Sequence, residues 1–147
     1  MPGISFELYK NTQLESGLPK PGEIPIASGA TGENGILVLG GIEEDEADIR
    51  YYLFETETLP GYNLLTAPVI IWYDNTDAAV KASYKDTVLT AIYVSEDNIW
   101  QITVKNTPGI ELPKTGGTGA TPFYAGGGAL ALGAAGLMLM RRKKKKA

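Results

Sequence analysis

The chain has 147 residues, no cysteine and no histidine, and a formal net charge of −4. The missing residue types exclude disulfides, cysteine-ligated zinc and any histidine-based catalysis or metal binding. All 17 acidic residues precede Leu112, whereas six of the 13 basic residues lie at 141–146. The part before Leu112 is therefore strongly acidic and is expected to repel nucleic acid, so we predict no nucleic-acid partner.

The first residues do not resemble an export signal. Residues 1–20 lack a basic stretch followed by an apolar one, which secretion by the usual route requires. The sequence is therefore expected to be a fragment, or its start has been assigned too far downstream.

Short strands separated by turns are predicted between residues 4 and 104. In the first of them, Ile4, Phe6 and Leu8 alternate with outward positions. Similar β-branched, aromatic or aliphatic runs occur at 36–39, 51–56, 68–73, 87–94 and 99–104. Turn residues occupy 32–35 and 95–98, the latter as a hairpin, and a helical turn or two is expected only at 78–84. This pattern predicts one all-β domain, an antiparallel β-sandwich, over residues 1–108.

An acidic run and the aromatic residues are weaker candidates for binding sites. Residues 43–46 and Asp48 lack the ligand spacing of a known calcium loop, so a solvated loop is the better interpretation. Trp72, Trp100 and the eight tyrosines would suit a glycan site, yet aromatic residues in strands usually form core or cross-strand pairs.

Two polar residues fall where the alternation predicts a core residue. Glu55 has the parity of Leu53, and Asn106 has the parity of Val104. A buried carboxyl and a buried amide are costly unless they are paired. The alternative is that both lie at strand ends, in water.

Three elements follow the predicted domain. A linker at 109–122 contains, in order, Leu112, Pro113, Lys114, Thr115 and Gly116. Residues 123–140 carry no charge and as a helix would reach about 27 Å, close to the hydrocarbon thickness of a bilayer. The basic residues of 141–147 resist translocation. We therefore predict a transmembrane helix at 123–140 and a cytoplasmic tail at 141–147.

In this order the three elements resemble the cell-wall sorting signal that sortases read in Gram-positive bacteria. The resemblance implies that a sortase cysteine attacks the Thr115 carbonyl and expels Gly116. An amine of a peptidoglycan precursor or of a neighbouring pilin subunit then takes the Thr115 acyl group. The membrane would be a transient partner before cleavage, and the protein is expected at the cell wall. The alternative is an ordinary single-pass anchor with a chance LPKTG.

The middle of the chain carries a second resemblance. Residues 51–62, YYLFETETLPGY, look like the E-box of Cna protein B-type domains, the prealbumin-like, Ig-like β-sandwich modules of Gram-positive pilins and adhesins. Residues 4–11 and 102–106 are similar to an early strand and the last strand of the same domain. The resemblance implies that Glu55 assists a self-made isopeptide bond between a lysine and Asn106, the acceptor.

In that family the lysine should come from a strand preceding the one that contains Ile4. The domain is therefore expected to be N-terminally incomplete, without its first strand and its lysine. Lys10 is out of place, because its parity is opposite to that of Phe6 and Leu8.

Together these features predict a sortase-anchored structural surface protein, either a pilin subunit or an adhesin stalk domain, linked covalently through Thr115. A minor or basal pilin attached directly to the wall is a variant of this prediction. The alternative function is a carbohydrate- or host-ligand-binding module with the same wall anchor. No cofactor, metal or enzymatic turnover is expected, and the host ligand stays unidentified.

Overall fold

The computed structural model describes residues 1–43 and 48–109, together with the backbone of residues 134–142. The described chain consists of strands and one short 3₁₀ helix, Asn11–Gln13. The strands are β1 Ser5–Lys10, β2 Leu14–Glu15, β3 Leu18–Pro19, β4 Ala27–Ala30, β5 Ile36–Glu43, β6 Arg50–Glu57, β7 Tyr62–Asn63, β8 Val69–Asp74, β9 Ala79–Tyr84, β10 Thr87–Leu89, β11 Ala91–Val94, β12 Ile99–Lys105, β13 Thr107–Pro108 and β14 Ala134–Arg142. The all-β prediction is confirmed for this part of the chain.

Two sheets carry most of the strands. A six-stranded antiparallel sheet has the order β10-β9-β8-β6-β1-β4. A four-stranded sheet has the order β11-β12-β14-β5, in which β14 runs antiparallel to β12 and parallel to β5. The short pairs β13-β7 and β2-β3 lie outside these two sheets.

Side chains from both sheets join in one buried cluster. Five members of this cluster are at most 3% exposed: Phe6, Leu8 and Leu53 in the six-stranded sheet, and Ile102 and Val104 in the four-stranded sheet. Burial of each such side chain stabilises the fold by roughly 1.5–3 kcal/mol. The predicted inward parity of these five residues is therefore confirmed.

Residues 78–84 form a turn and a strand, so the expectation of helical turns there is wrong. Ala78 has a positive φ of 50°, which ends the preceding turn. In β9, buried Val80 and Ala82 alternate with partly exposed Lys81, a period of two that only a strand can satisfy. Pairing of β9 with β8 then supplies its backbone partners.

The single run predicted at 87–94 is divided between the two sheets. Its first part, β10, pairs with β9, and its second part, β11, pairs with β12. The chain passes from one sheet to the other at Thr90. The predicted hairpin at 95–98 is confirmed, with Asn98 at a positive φ of 55°.

The predicted membrane span is only partly described. Residues 123–133 and the whole LPKTG motif lie outside the described residues, as do Glu44, Asp45 and Glu46 of the acidic run. Residues Ala134–Arg142 form strand β14 in this structure, whereas a helix was predicted as far as residue 140. Among the described residues, no helix has the length and apolar character needed to cross a membrane. The backbone of β14 has strand partners on both sides, which is the alternative to helical hydrogen bonding.

Candidate functional site

Glu55 and Asn106 end the inward-facing rows of β6 and β12. Glu55 is 8% exposed and Asn106 is 4% exposed, so both continue the buried parity of their strands. The alternative that they lie in water at strand ends is therefore wrong. Asn106 lies directly after the last residue of β12, and Glu55 is two residues before the end of β6.

The two side chains are in direct contact. The Asn106 Nδ2 group donates to Glu55 Oε1 at 2.7 Å and to Thr58 Oγ1 at 3.1 Å. The other carboxyl oxygen, Glu55 Oε2, accepts from the Leu65 backbone N–H at 2.8 Å. The carboxyl group is thus fixed from two sides, which offsets the cost of burying it.

The remaining polar atom of the pair has no partner. Asn106 Oδ1 is buried and accepts no hydrogen bond in the described part of the protein. An unpaired buried acceptor typically costs about 1–3 kcal/mol. A proton donor that reaches Asn106 Oδ1 would therefore form a more stabilising hydrogen bond than a donor that reaches a solvent-exposed amide oxygen.

Asn106 is also fixed by the chain that follows it. Strand β13 pairs with β7, and the Gly109 N–H donates to the Gly61 carbonyl at 2.7 Å. A Cβ atom at position 109 would lie 3.1 Å from Asn63 Oδ1, so glycine suits this close approach. We call this the exit clamp: β13, β7 and the Gly109–Gly61 hydrogen bond.

Lys10 is far from the Glu55–Asn106 pair. Along β1 and β6, Phe6 lies opposite Glu55, whereas Lys10 lies opposite Tyr51. Lys10 is four residues beyond Phe6 along β1, which corresponds to a distance of about 13 Å. Lys10 Nζ instead approaches the Glu43 carboxylate at 3.4 Å. The expectation that Lys10 is misplaced for bond formation agrees with this position.

The structure brings none of the other described lysines into hydrogen-bond contact with Asn106. Their contacts are Lys20 with the Thr12 carbonyl, Lys81 with Asp77 and Asp74, and Lys85 with the Tyr84 ring. Hydrogen bonding to Asp77 and then to Asp74 raises the pKa of Lys81, which keeps its amine protonated and non-nucleophilic. Lys105 is exposed on the outer side of β12.

Sequence reasoning missed two partners of the site. The Thr58 hydroxyl and the Leu65 backbone N–H both contact the pair. Thr58 lies within the E-box-like segment, three residues after Glu55, so its proximity could have been considered. The Leu65 contact depends on the path of the loop after β7 and leaves no signal in the residue type.

The C-terminal part of the chain can be compared directly with a known family. Residues 104–147 match the LPXTG cell wall anchor motif. This match supports a surface protein that a sortase anchors to the cell wall of a Gram-positive bacterium. No curated protein and no solved structure matches the chain.

The anchor motif lies close to the exit clamp in sequence. Thr115 is six residues after Gly109, and six extended residues span about 20 Å. Anchoring at Thr115 would therefore hold the β domain within about 20 Å of the attachment point.

The aromatic residues proposed as a possible glycan site divide into two groups. Trp100 is buried, packs against Tyr93 with ring centroids 5.2 Å apart and belongs to the core. Trp72 is partly exposed, and the Arg50 guanidinium lies 4.8 Å from the centre of its ring. Of the two tryptophans, Trp72 alone is therefore available to a ligand.

Trp72 belongs to an aromatic row on the outer face of the six-stranded sheet. Tyr52 lies opposite Ile70, next to the pair of Arg50 and Trp72, and Phe54 follows on the same face of β6. All four apolar residues of this row are partly exposed. We call Tyr52, Phe54, Ile70 and Trp72 the outer aromatic row.

Tyr9 flanks the outer aromatic row and is buried. Its ring meets Phe54 edge-on, with centroids 5.9 Å apart, and its hydroxyl donates to Glu7 Oε2 at 2.7 Å. Burial, followed by the hydrogen bond to the Glu7 carboxylate and that charge, raises the pKa of Tyr9 to about 12. The phenol therefore stays protonated throughout the physiological range.

Proposed function

We propose that this chain is a structural module of a surface protein, attached covalently through Thr115 to peptidoglycan or to a neighbouring pilin subunit. The observation that carries the proposal is the LPKTG sequence within a region that matches the cell wall anchor motif. The β domain supports it, because its last core strand leads through the exit clamp into the motif. We further propose a prealbumin-like β-sandwich as the architecture, of the type found in pilins and adhesin stalks.

The attachment reaction needs an accessible, extended motif. Pro113 drives the preceding residue, Leu112, towards extended geometry, and the glycines from Gly116 onward leave the cleaved bond accessible. A sortase thiolate forms a bond to the Thr115 carbonyl carbon while the bond to the Gly116 nitrogen breaks. An amine then displaces the thiolate. Before cleavage, residues 123–140 would span the membrane as a helix and hold the motif at the outer surface.

Substitutions in the motif test the anchoring proposal. The full chain, expressed behind a secretion signal in a sortase-positive host, should remain in the wall fraction after boiling in detergent. Leu112→Ala and Thr115→Ala should shift the protein to the membrane or the medium, whereas Thr118→Ala, a matched change outside the motif, should not. Equal wall attachment of all four chains would refute the proposal.

We also propose that the Glu55–Asn106 pair is an isopeptide-forming site. Three observations support this role: the burial of both groups, their contact at 2.7 Å, and the unpaired Asn106 Oδ1. A neutral lysine amine would attack Asn106 Cγ, forming the Nζ–Cγ bond and breaking the Cγ–Nδ2 bond. A proton from Nζ passes through the Glu55 carboxyl to Nδ2, which leaves as ammonia. Glu55 Oε1 already contacts Nδ2, the leaving nitrogen.

The amine is proposed to come from a lysine on a strand that precedes β1. The chain in its present form is then expected to form no bond and to keep its full mass. The same chain extended at its N-terminus by a lysine-bearing strand should lose the mass of one ammonia. Loss of ammonia from the present chain, with a cross-link mapped to Lys10 or another described lysine, would show that the donor strand is misplaced. No loss from the extended chain would show that the pair is structural only.

A second candidate function is glycan binding at the outer aromatic row. The observation that favours it is a contiguous, partly exposed row on a sheet face, since sugars stack on aromatic rings. Trp72→Ala should abolish retention on a glycan array, whereas Val88→Ala, a change of a highly exposed residue outside the row, should not. Absence of any array signal for the unaltered chain would exclude this candidate.

A further inference from the structure

Trp72 has a cation on each side of it in the six-stranded sheet. Arg50 of β6 and Lys81 of β9 lie directly opposite Trp72 on its two neighbouring strands. All three residues belong to the outward-facing rows of their strands, where directly opposed side chains are close enough to interact. The Arg50 guanidinium lies 4.8 Å from the centre of the indole ring. A ligand on the outer aromatic row would therefore meet positive charge at its Trp72 end.

The two cations differ in their other contacts. Lys81 Nζ lies 2.9 Å from the Asp74 carboxylate and also contacts Asp77, so carboxylates balance its charge. Arg50 is exposed and has no carboxylate partner among the described residues; its side chain contacts the Trp72 ring. An exposed cation over an aromatic ring is held more weakly than a guanidinium that binds a carboxylate through two hydrogen bonds. Arg50 can therefore exchange the ring for an acidic ligand at little cost.

The other end of the outer aromatic row is negative. Glu7 lies opposite Phe54, and its carboxylate accepts a hydrogen bond from the Tyr9 hydroxyl. Phe54 is four residues beyond Arg50 along β6, which corresponds to about 13 Å. A ligand with one acidic group would be attracted at the Arg50 end and repelled at the Glu7 end. The row therefore favours one orientation of such a ligand.

The charge of the domain limits how many negative charges the ligand can carry. All 17 acidic residues precede Leu112, whereas Arg50 is the only arginine before residue 141. A polyanion would bring several negative charges to a row that offers the single guanidinium of Arg50, and the acidic domain would repel it. A single carboxylate matches the planar fork of one guanidinium. The charges therefore favour a ligand with one carboxylate.

We propose that the outer aromatic row binds a sugar that carries one carboxylate, of the uronic-acid or sialic-acid type. The carboxylate would bind the Arg50 guanidinium, and the C–H groups of the sugar ring would pack on the electron-rich aromatic faces. This proposal rests on the second candidate function, glycan binding at the same row, and specifies its ligand. On binding, Arg50 turns from the Trp72 ring to the carboxylate and leaves the ring face to the sugar. Tryptophan fluorescence should therefore change when the ligand binds.

A glycan array that holds each neutral glycan beside its carboxylate-bearing and sulfated counterparts tests the proposal. The full chain should be retained on the carboxylate-bearing members, and the uronic-acid and sialic-acid members distinguish the two sources of the carboxylate. Fluorescence titration with the best-retained glycan and its neutral counterpart should give a Kd at least about tenfold lower for the acidic one, since hydrogen bonds between charged groups are strong.

Variants of Arg50 test its part in this preference. Arg50→Gln should abolish the preference for the acidic glycan, and Arg50→Lys, which keeps the charge without the fork, should retain part of it. The matched control is Lys85→Gln, because Lys85 Nζ lies 5.4 Å from the centre of the Tyr84 ring, outside the row. This control should keep the full preference. The urea midpoint of Arg50→Gln should equal that of the unaltered chain, since Arg50 is exposed.

The possible failures of the proposal can be told apart. If no glycan on the array retains the chain, glycan binding itself is refuted, and the acidic ligand with it. Equal retention of neutral and carboxylate-bearing glycans would leave glycan binding in place and overturn the acidic ligand. Retention on the sulfated members alone would overturn the choice of a carboxylate. A preference that survives Arg50→Gln would show that Arg50 does not bind the acid group.

Discussion

Glu55 links Asn106 to the Leu65 backbone, and its removal should destabilise the fold. Glu55→Ala removes the acceptor for the Asn106 side-chain amide and for the Leu65 backbone N–H. Each donor loses a carboxyl partner in a buried or partly buried position, which costs about 1–3 kcal/mol per unpaired group. The free energy of unfolding should therefore fall by about 2–6 kcal/mol.

Glu55→Gln separates the hydrogen-bonding role of this residue from its acidity. The glutamine carbonyl can still accept from the Leu65 N–H. Its new NH₂ group can donate to Asn106 Oδ1 if the asparagine amide rotates, and one polar atom of Asn106 remains unpaired in both cases. We expect this variant to unfold within about 1 kcal/mol of the unaltered chain. It should also form no isopeptide bond in the upstream-extended chain, because glutamine has no carboxyl group through which a proton can pass.

Urea unfolding followed by tryptophan fluorescence measures both effects. The control is Glu57→Ala, since Glu57 is exposed and its hydrogen bond is to the Ser5 hydroxyl. This change should cost less than about 0.5 kcal/mol. If Glu55→Ala behaves like the control, or if Glu55→Gln loses as much stability as Glu55→Ala, the reasoning about the buried pair is wrong.

Two further predictions concern the core and alkaline pH. Leu53→Ala should lower the free energy of unfolding in urea by about 2–5 kcal/mol. Val38→Ala, at a half-exposed position of β5, should lower it by less than about 1 kcal/mol. Similar losses for the two variants would contradict the assignment of the core. Folding raises the pKa of Tyr9 from 10.0 to about 12. The protonated phenol therefore stabilises the fold fully below pH 10, and this stabilisation is lost as the pH rises to about 12. Thermal unfolding from about pH 9 to about pH 12 should show a smaller decline for Tyr9→Phe than for the unaltered chain, and equal declines would refute this role.

The strands with one buried face could be predicted from alternation alone. In β1, β6 and β12 the apolar residues recur with period two, and this parity also located Glu55 and Asn106 inside the fold. Alternation failed for β9, because its alanines favour a helix intrinsically and only pairing with β8 overrode this preference.

Partners that come from distant parts of the chain could not be predicted. The Leu65 N–H reaches Glu55 through a loop whose path depends on tertiary packing. The division of residues 87–94 between two sheets also depends on which neighbours β10 and β11 find. Hydropathy identified residues 123–140 as apolar, but it cannot distinguish a helix in lipid from a strand between two open edges, since the surroundings determine which one forms.

The exit clamp determines where tension from the wall first meets the folded domain. A load applied at Thr115 would pass along the linker to Gly109, where a single hydrogen bond to Gly61 and the two-residue β13–β7 pair resist it. Because these bonds are few, they should break at low force and allow the chain to extend there. Asn106 lies three residues further in, so a covalent bond at its side chain would stop the extension there. The part of the chain that stretches under shear would then be the short segment from Asn106 to Thr115, and the core strands would carry no load.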